Sequence, residues 1–233
     1  MIGSDDLAER LAALRDRIAA TGRAPDDIVV VAVTKGFGVD AVEAAAAVGL
    51  PDVGENYAQE LVEKASASSD DQGRRWHFLG RVQRNKVRSI ASTIHLWQGV
   101  DRAAAGEEIA RRAPGARVLV QVRIDDGPAN SGVDGVPFGR GGCHPNDVPA
   151  LVERLAGLGL DVRGLMAVGP RGGPELARAG FRNVSALADR LGLPERSMGM
   201  TDDLDVAVQE GSTMVRVGRG LFGARPESPQ MRR

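Results

Sequence analysis

Eight short runs of apolar and β-branched residues alternate with segments of helical periodicity, and this alternation constrains the fold more than any other feature. Runs of this length and character suit strands that are covered on both faces, as in a parallel sheet. Each run except the last is followed by a helical segment. The count and the length of 233 residues favour a single α/β domain, residues 1–233, folded as a (β/α)8 TIM barrel. A doubly wound open sheet is the alternative, although it would not usually need an eighth strand.

The predicted strands follow from these runs. They span residues 28–35, 50–53, 76–80, 95–100, 117–124, 162–168, 196–200 and 213–218. The main helical segments are 40–48, 83–92, 101–112, 147–158, 176–191 and 202–209, after a first helix through Leu7, Leu11, Leu14 and Ile18. Residues 125–146 are predicted to be a long glycine-rich loop, and the polar residues 224–233 a flexible tail.

Charge and composition narrow the classes of partner. The net charge is −1 at pH 7 without long blocks of like charge, so the chain lacks an electrostatic footprint for nucleic acid or a membrane surface. A single cysteine excludes an internal disulfide. The first residues lack the features of a secretion signal, and the longest apolar runs are far shorter than a membrane span. We expect a soluble, cytoplasmic protein that binds neither nucleic acid nor membrane.

Lys35 ends the first predicted strand, IVVVAVTK, and precedes a glycine-containing loop. In parallel α/β folds the chemistry lies at the carboxyl ends of the strands, so a charge at this position is a candidate functional group. The competing interpretation is a lysine that pairs with a nearby surface carboxylate. The residues at the ends of the other strands distinguish these two interpretations of Lys35.

Two of those strand ends suit a phosphate group. Ser197, Gly199 and Thr201 place hydroxyls and a glycine before a helix, where backbone N–H groups can face an anion. Gly218 and the adjoining Arg219 let the backbone of the last strand end approach a ligand closely. In many barrels the loops after strands seven and eight form a phosphate site. The alternative is ordinary turn glycines with Thr201 as a helix cap.

Arg216 lies within the last predicted strand, on the same face as Met214 and Gly218 by strand alternation. If that face points inward, a permanently charged guanidinium lies inside the barrel and needs a partner. A lysine and an arginine in one mouth beside a phosphate site indicate a phosphorylated aldehyde cofactor. Pyridoxal 5′-phosphate (PLP) fits, because a lysine forms its Schiff base and an arginine can face its pyridine nitrogen.

Five motifs occur in order within residues 28–223: VAVTKGF, VGENYAQEL, WHFLGRVQRNKV, GLMAVGP and SMGMTDDLDVAVQEGSTMVRVGRGLFG. Together they resemble the pyridoxal phosphate homeostasis proteins, which are single-domain barrels similar to the N-terminal domain of alanine racemase. The resemblance implies that Lys35 carries the cofactor as an aldimine and that Arg216 faces the pyridine nitrogen. It implies further contacts, with Asn56 and Met166 lining the cofactor and the phosphate held by Ser197, Gly199, Thr201, Gly218 and Arg219.

The chain departs from the family pattern in the long loop. Asn130 precedes Ser131 and Gly132 where the family often has a lysine. A role of that lysine in handing on or rebinding the cofactor is therefore not carried over to this chain. Residues 136–143, VPFGRGGC, have no assigned role.

The residues favour a cofactor holder over an enzyme. Racemisation needs an acid and a base on opposite faces of the ring, and Tyr57, the only tyrosine, is expected to pack at a helix start. A guanidinium at the pyridine nitrogen leaves the ring a poor electron sink. We expect a protein that binds, buffers and delivers PLP, with PLP-dependent apo-enzymes as recipients. The alternatives are a small PLP-dependent amino-acid racemase or lyase, and a phosphate-binding barrel in which Lys35 never meets an aldehyde.

The remaining polar candidates have weaker signals. The three histidines, His77, His95 and His144, are scattered, so no metal site is expected. His77 is closest to the predicted mouth and is a candidate contact for the edge of the ring. Glu55 is either a partner of Lys35 or a solvated carboxylate at the rim. Trp76 and Trp97 are expected to pack in the core.

Overall fold

The computed structural model describes residues 4–68, 73–124, 141–170 and 172–225, and within these ranges it has eight strands and nine α-helices. The strands are β1 (Val29–Val33), β2 (Asp52–Glu55), β3 (Arg75–Phe78), β4 (Ile94–Val100), β5 (Arg117–Val122), β6 (Asp161–Ala167), β7 (Glu195–Ser197) and β8 (Met214–Val217). The helices are α1 (Ser4–Ala20), α2 (Val39–Ala47), α3 (Ala58–Ala67), α4 (Arg84–Ile90), α5 (Ala103–Arg112), α6 (Val148–Gly157), α7 (Glu175–Arg190), α8 (Leu204–Gln209) and α9 (Arg219–Phe222).

The strands form a closed barrel in the order β1 to β8, and every neighbouring pair is parallel. The last strand pairs with the first, with Val31 opposite Arg216 and Ala32 opposite Val217. The predicted (β/α)8 barrel is confirmed, and the open-sheet alternative is wrong. Because all strands are parallel, closure brings their carboxyl ends to one mouth.

Several strands end earlier than predicted. β1 ends at Val33, so Lys35 lies in a turn where the N–H of Phe37 donates to the carbonyl of Thr34 at 3.0 Å. β7 ends at Ser197 because Gly199 adopts a φ of +92°, which leaves the extended conformation. The N–H of Met200 then donates to the Asp203 carboxylate at 2.6 Å. After both strands, the backbone N–H groups thus form hydrogen bonds within a turn or loop, where the apolar pattern alone predicts that the strand continues.

The core has two layers. The outer layer lies between the strands and the helices, and it includes Leu7, Leu11, Leu14 and Ile18 of α1. Trp76 and Trp97 are also buried there, so their predicted packing role is confirmed. The inner layer is an apolar cluster inside the barrel, formed by Val31, Leu96, Leu119, Met166 and Met214. These side chains make the barrel interior a packed core rather than a pore.

Direct backbone contacts hold one side of the mouth together. Gly80, after β3, packs so closely on Asn56 that a Cβ at residue 80 would lie 2.0 Å from the Asn56 carbonyl oxygen. Gly99 in β4 packs on Gly80 in turn, and a Cβ there would lie 2.2 Å from the Gly80 carbonyl oxygen. Only glycine permits contacts this short. The two glycines, which we call the glycine stack, fix the position of Asn56 at the mouth.

Some predicted segments cannot be compared with the structure. Asn130, Ser131 and Gly132 lie outside the described residues, as do residues 136–140 and 226–233. In the part of the chain that is described, no helix combines the length and apolar character needed to cross a membrane. The same part holds no group of three or more histidine, cysteine, aspartate or glutamate side chains placed for a metal ion.

We expect Gly80→Ala to lower the free energy of unfolding by about 1–3 kcal/mol, because the new methyl group must displace the Asn56 backbone. Urea unfolding measures the effect. Gly157→Ala is the matched control, since a Cβ at this position of α6 would have nothing within 4 Å. That control should change stability by less than about 1 kcal/mol, and in the favourable direction. Equal effects of the two substitutions would contradict the glycine stack.

Candidate functional site

A cavity of about 220 Å³ opens at the carboxyl-terminal mouth of the barrel. It is lined by residues at or after the ends of β1, β2, β3, β6, β7 and β8. Among them are most of the predicted site residues, namely Lys35, Asn56, Met166, Thr201, Arg216, Gly218 and Arg219. The structure therefore brings into one cavity predicted site residues that are up to 184 positions apart, from Lys35 to Arg219.

Lys35 is half-buried at this cavity, in the turn that follows β1. Burial lowers the pKa of its amine, and the nearby positive charges of Arg225 and Arg216 lower this pKa further. Glu55 and Glu60 act in the opposite direction and raise it. The net shift is downward, so a larger fraction of the amine is uncharged near neutral pH than for a solvated lysine. An uncharged amine is the form that attacks a carbonyl group.

Lys64 of α3 holds the backbone on the N-terminal side of Lys35. Its amine lies 2.8 Å from the carbonyl oxygen of Thr34, 2.6 Å from Glu55 Oε1 and 3.1 Å from Glu60 Oε2. The Thr34 hydroxyl donates to the same Glu55 oxygen at 2.6 Å. These contacts tie the residue before Lys35 to a buried ion pair, which restricts the positions that the lysine can take.

Glu60 holds the residue on the other side of Lys35. The Gly36 N–H donates to Glu60 Oε2 at 2.9 Å, and the same oxygen accepts from Lys64. Gly36 has a φ of +74°, a left-handed conformation that favours glycine. Lys64, Glu55 and Glu60, with the Thr34 hydroxyl, form what we call the lysine clamp.

Glu55 is fully buried, so the interpretation of a solvated carboxylate at the rim is wrong. Burial raises the pKa of Glu55, while the Lys64 amine and the Thr34 hydroxyl favour its charged form. Its second oxygen, Oε2, has no hydrogen-bond partner among the described residues. Glu55 is a partner of Lys35 in the electrostatic sense, because its charge opposes the loss of the lysine proton.

Arg216 is 5% exposed and points into the barrel beneath the cavity, so the face that it shares with Met214 and Gly218 is the inner one. Its Nη1 donates to the Ser197 carbonyl and to the Ser197 hydroxyl, each at 2.6 Å. Its Nη2 donates to the Ala167 carbonyl at 2.8 Å. Burial lowers the pKa of Arg216 to about 10, so the guanidinium keeps its charge at neutral pH. The cavity floor therefore presents a fixed positive charge.

Ser197 and Gly199 lie outside the lining that the described residues form. The Ser197 hydroxyl is fully buried under Arg216 and donates to Gln98 Oε1 at 2.6 Å. The Gly199 carbonyl accepts the backbone N–H of Arg216 at 3.0 Å. In this arrangement both residues support Arg216. Their contact with a phosphate group stays a prediction.

The segments after β7 and β8 are joined beside the cavity. The Thr201 hydroxyl accepts the N–H of Gly220 at 3.2 Å, so the hydroxyl hydrogen can still be donated to a ligand oxygen. Thr201 is not a helix cap, because α8 begins at Leu204 with Asp203 at the cap position. Arg219 is exposed and contacts Asp202 at 3.2 Å. The rim thus offers a hydroxyl and a cation where the sequence predicted phosphate contacts.

Two residues of the site were not predicted from the sequence. Arg225 lines the cavity and packs over Gly36, although its position falls in the segment predicted to be a tail. Lys64 belongs to the lysine clamp, and its only visible signal was the i,i+4 spacing from Glu60. That spacing occurs on many exposed helices, so it does not by itself indicate a buried lysine.

Two other expectations are wrong. Tyr57 is 62% exposed at the start of α3, so it does not pack there, and it lines a neighbouring groove rather than the Lys35 cavity. His77 points toward the opposite mouth of the barrel, where its Nε2 lies 2.9 Å from Asp52 Oδ1. Neither side chain is placed to touch a ring held at Lys35.

The residues present fit a phosphorylated aldehyde. The cavity combines an amine with a lowered pKa, a buried guanidinium, and a rim that carries a hydroxyl and a further cation. Several positive charges around a cavity favour an anionic ligand, and the amine supplies a nucleophile for a carbonyl carbon. This donor set matches the cofactor that the sequence analysis expected.

Comparison with known proteins agrees with this geometry. Residues 4–226 match the family model described as alanine racemase, N-terminal domain. The chain is 37% identical over 231 residues to the pyridoxal phosphate homeostasis protein of Pseudomonas aeruginosa, with 95% of each chain covered. It is 34% identical over 242 residues to the protein of the same name from Escherichia coli K12, covering 96% of this chain and 99% of the other.

A solved structure is similar as well. PipY from Synechococcus elongatus, described with PLP bound, superposes with a TM-score of 0.76 at 31% sequence identity. The match covers 93% of this chain and 100% of the PipY chain. The family model and these relatives all extend across nearly the whole barrel. The chain therefore belongs to the pyridoxal phosphate homeostasis protein family, and its barrel is an alanine racemase N-terminal domain.

Proposed function

We propose that this protein binds PLP covalently through Lys35 and serves PLP (vitamin B6) homeostasis as a holder of the cofactor, without a committed amino-acid reaction. The observation that carries the proposal is a half-buried amine of lowered pKa in the same cavity as the buried Arg216. The names of the relatives and the PLP-bound PipY structure support it. The proposal includes a cytoplasmic location and PLP-dependent apo-enzymes as recipients.

Each residue has a separate task in this proposal. Lys35 would hold the cofactor by supplying the amine for a Schiff base with its aldehyde. Arg216 would face the pyridine nitrogen, and Met166 and Asn56 would line the ring. Thr201, Gly218 and Arg219 are assigned to the phosphate, where the Thr201 hydroxyl and the Arg219 cation are complementary to its oxygens. Ser197 and Gly199 act through Arg216. The alternative, which the family resemblance implies, is that each of them contacts the phosphate.

The same geometry supports a holder rather than a catalyst. PLP supplies an electron sink when its ring nitrogen is protonated. Arg216 keeps its own proton at neutral pH because its pKa is about 10, and it donates hydrogen bonds rather than a proton. A racemase also needs a second acid, and the exposed Tyr57 lies away from the cavity. Both features predict slow chemistry on a bound amino acid.

The lysine content makes the covalent bond directly testable, since the chain contains only Lys35, Lys64 and Lys86. We expect the wild-type protein to develop a visible absorption band with PLP that borohydride bleaches, and the reduced adduct to map to Lys35. Lys35→Ala should lose the band. Lys86→Ala is the matched control, because Lys86 is exposed on α4, and it should keep the band.

A wild-type protein that stays colourless with PLP would contradict the proposal and favour the phosphate-binding barrel.

The enzyme alternative is tested by exchange of amino-acid α-protons in deuterated water. We expect no exchange above the rate with free PLP. Fast exchange with one amino acid would show a racemase-type or lyase-type activity instead.

We expect Lys64→Met to lower the free energy of unfolding by about 3–5 kcal/mol, because it leaves the buried Glu55 without its cation. Adding Glu55→Gln removes the unpaired charge and should recover part of that loss. Urea unfolding measures both effects. Lys86→Met, on the exposed face of α4, should stay within about 0.5 kcal/mol of the wild type. Failure of Glu55→Gln to recover stability would argue against the lysine clamp.

The pH dependence of cofactor capture should report the pKa of Lys35. Arg225→Gln removes a positive charge that lowers this pKa, so the pKa should rise and less free amine should remain at neutral pH. Band formation at neutral pH should therefore be slower in Arg225→Gln than in the wild type. The measurement is the rate of band formation between pH 6 and 10.

Arg84→Gln is the control for charge in general, because Arg84 lies on α4 and outside the cavity lining. It should leave the pH profile unchanged. A profile that is the same for Arg225→Gln and the wild type would show that Arg225 does not act on the amine.

A further inference from the structure

A row of hydrogen-bonded side chains crosses the barrel interior below Arg216. Arg216 Nη1 donates to the Ser197 hydroxyl at 2.6 Å, and this hydroxyl donates to Gln98 Oε1 at 2.6 Å. Gln98 Nε2 lies 2.8 Å from His77 Nδ1, and His77 Nε2 lies 2.9 Å from Asp52 Oδ1. The row, which we call the barrel relay, runs from the cavity floor to the opposite mouth.

In the neutral form of His77, the partners fix the direction of every hydrogen bond in the relay. An ionised carboxylate only accepts, so His77 Nε2 carries the hydrogen that faces Asp52. His77 Nδ1 is then the acceptor, and it takes a hydrogen from the Gln98 amide nitrogen. The amide oxygen of Gln98 therefore faces Ser197 and accepts its hydroxyl hydrogen. With that hydrogen committed, a Ser197 lone pair is directed to Arg216.

The far end of the relay is anchored by an ion pair. Arg75 binds both oxygens of Asp52, with Nε 2.8 Å from Oδ1 and Nη2 2.5 Å from Oδ2. Hydrogen bonds from Arg75 and His77 lower the pKa of Asp52 to about 2 despite its burial. Asp52 is therefore an acceptor over the whole physiological pH range, which keeps the orientation of His77 constant.

The relay members are buried among the apolar side chains of the inner layer. His77, Gln98 and Ser197 are each 1% exposed or less, beside Leu96, Met166 and Met214 of that layer. Burial of polar groups costs free energy unless each is hydrogen-bonded, and apolar residues could fill the same space. A fully bonded buried network rigidifies the groups that it holds. The group whose orientation matters to the cavity is Arg216.

From this arrangement we infer that His77 and Gln98 are positioning residues, which fix the Arg216 guanidinium through the Ser197 hydroxyl and thereby set how it meets a ligand in the cavity. Arg216 also donates to the backbone carbonyls of Ser197 and Ala167, which hold it in the barrel. The relay adds a third contact, from Nη1 to the Ser197 hydroxyl, and this contact further restricts rotation of the guanidinium plane. Its effect on PLP rests on the proposed function, whereas its effect on Arg216 does not.

Gln98→Met tests the inference, because methionine has a similar shape but cannot hydrogen-bond to both Ser197 and His77. Gln121→Met is the matched control. Gln121 is also buried, on the neighbouring strand β5, but it bonds to the Gly141 carbonyl instead of the relay. Thermal unfolding of both variants shows whether the fold is kept.

Arginine-selective 15N NMR of the cofactor-free protein measures the guanidinium directly. In the wild type we expect slow rotation about the Nε–Cζ bond of Arg216 and slow exchange of its Nη hydrogens with water. Loss of one hydrogen bond in Gln98→Met should speed both by about three- to tenfold. PLP affinity should weaken by a similar factor, with a shift of the visible band. Gln121→Met should leave all of these within twofold of the wild type.

His77 variants separate the relay from general packing. His77→Leu removes the acceptor for Gln98 and should reproduce the NMR change of Gln98→Met. His77→Asn can place its amide oxygen near the position of Nδ1, so it should restore much of the wild-type behaviour. A purely structural role of His77 would not produce this recovery.

The outcomes distinguish the two proposals. If the wild type binds no PLP, the proposed function fails, and the NMR comparison still decides whether the relay holds Arg216. If Gln98→Met and Gln121→Met give the same Arg216 dynamics, the inference is overturned, whatever the wild type does with PLP.

Discussion

The parallel pairing of β8 with β1 is the interaction on which the site depends. It places Arg216 opposite Val31, so the guanidinium lies in the strand beside the one that leads to Lys35. In an open sheet of the same strands, the first and eighth strands would not be neighbours, and Lys35 and Arg216 would not share a cavity. Barrel closure therefore completes the fold and also brings Lys35 and Arg216 into the same cavity.

Closure also creates an electrostatic problem, because cations from distant parts of the chain now lie close together. Lys35, Arg216 and Arg225 all line one cavity. Each cation has a different environment. Lys35 has a lowered pKa, and Arg216 donates hydrogen bonds to backbone carbonyls. Arg225 is exposed to solvent. The lysine clamp supplies carboxylates behind Lys35 without letting them neutralise the cavity, because Lys64 occupies the same carboxylates. The cavity keeps a net attraction for anions.

Much of this architecture could be predicted from the sequence. The alternation of runs predicts the barrel, and strand alternation places Arg216 on one face with Gly218. Because a buried guanidinium is better accommodated inside the mouth than under the outer helices, Lys35, Arg216 and Gly218 could be grouped correctly. Lys64, Arg225 and His77 could not be placed in this way. The role of Lys64 depends on which face of α3 meets β1, and that of Arg225 on how the chain turns after α9. For His77, alternation indicates an inward side chain but not which mouth it approaches, because its height depends on barrel stagger.

The solvent exposure of individual residues near strand and helix ends could not be predicted from the sequence either. Tyr57 suits a packed aromatic residue by composition, yet its position before α3 leaves it in solvent. Glu55 suits a solvated carboxylate, yet it is the last residue of β2 and is fully buried. The case of Glu55 follows from a shift of two residues in the end of β2 relative to the apolar run. Strand ends are where sequence patterns carry least information.

The glycine stack has a consequence for how such a mouth can diversify. On the side of β2 to β4, Gly80 and Gly99 pack against neighbouring backbone and fix the course of the chain where Asn56 and Leu79 line the cavity. The opposite side, after β6 to β8, is built from side chains such as Met166, Met200 and Arg219. Evolution or design can therefore alter the backbone more readily on that second side, whereas on the glycine side a larger residue at position 80 or 99 would collide with the neighbouring backbone.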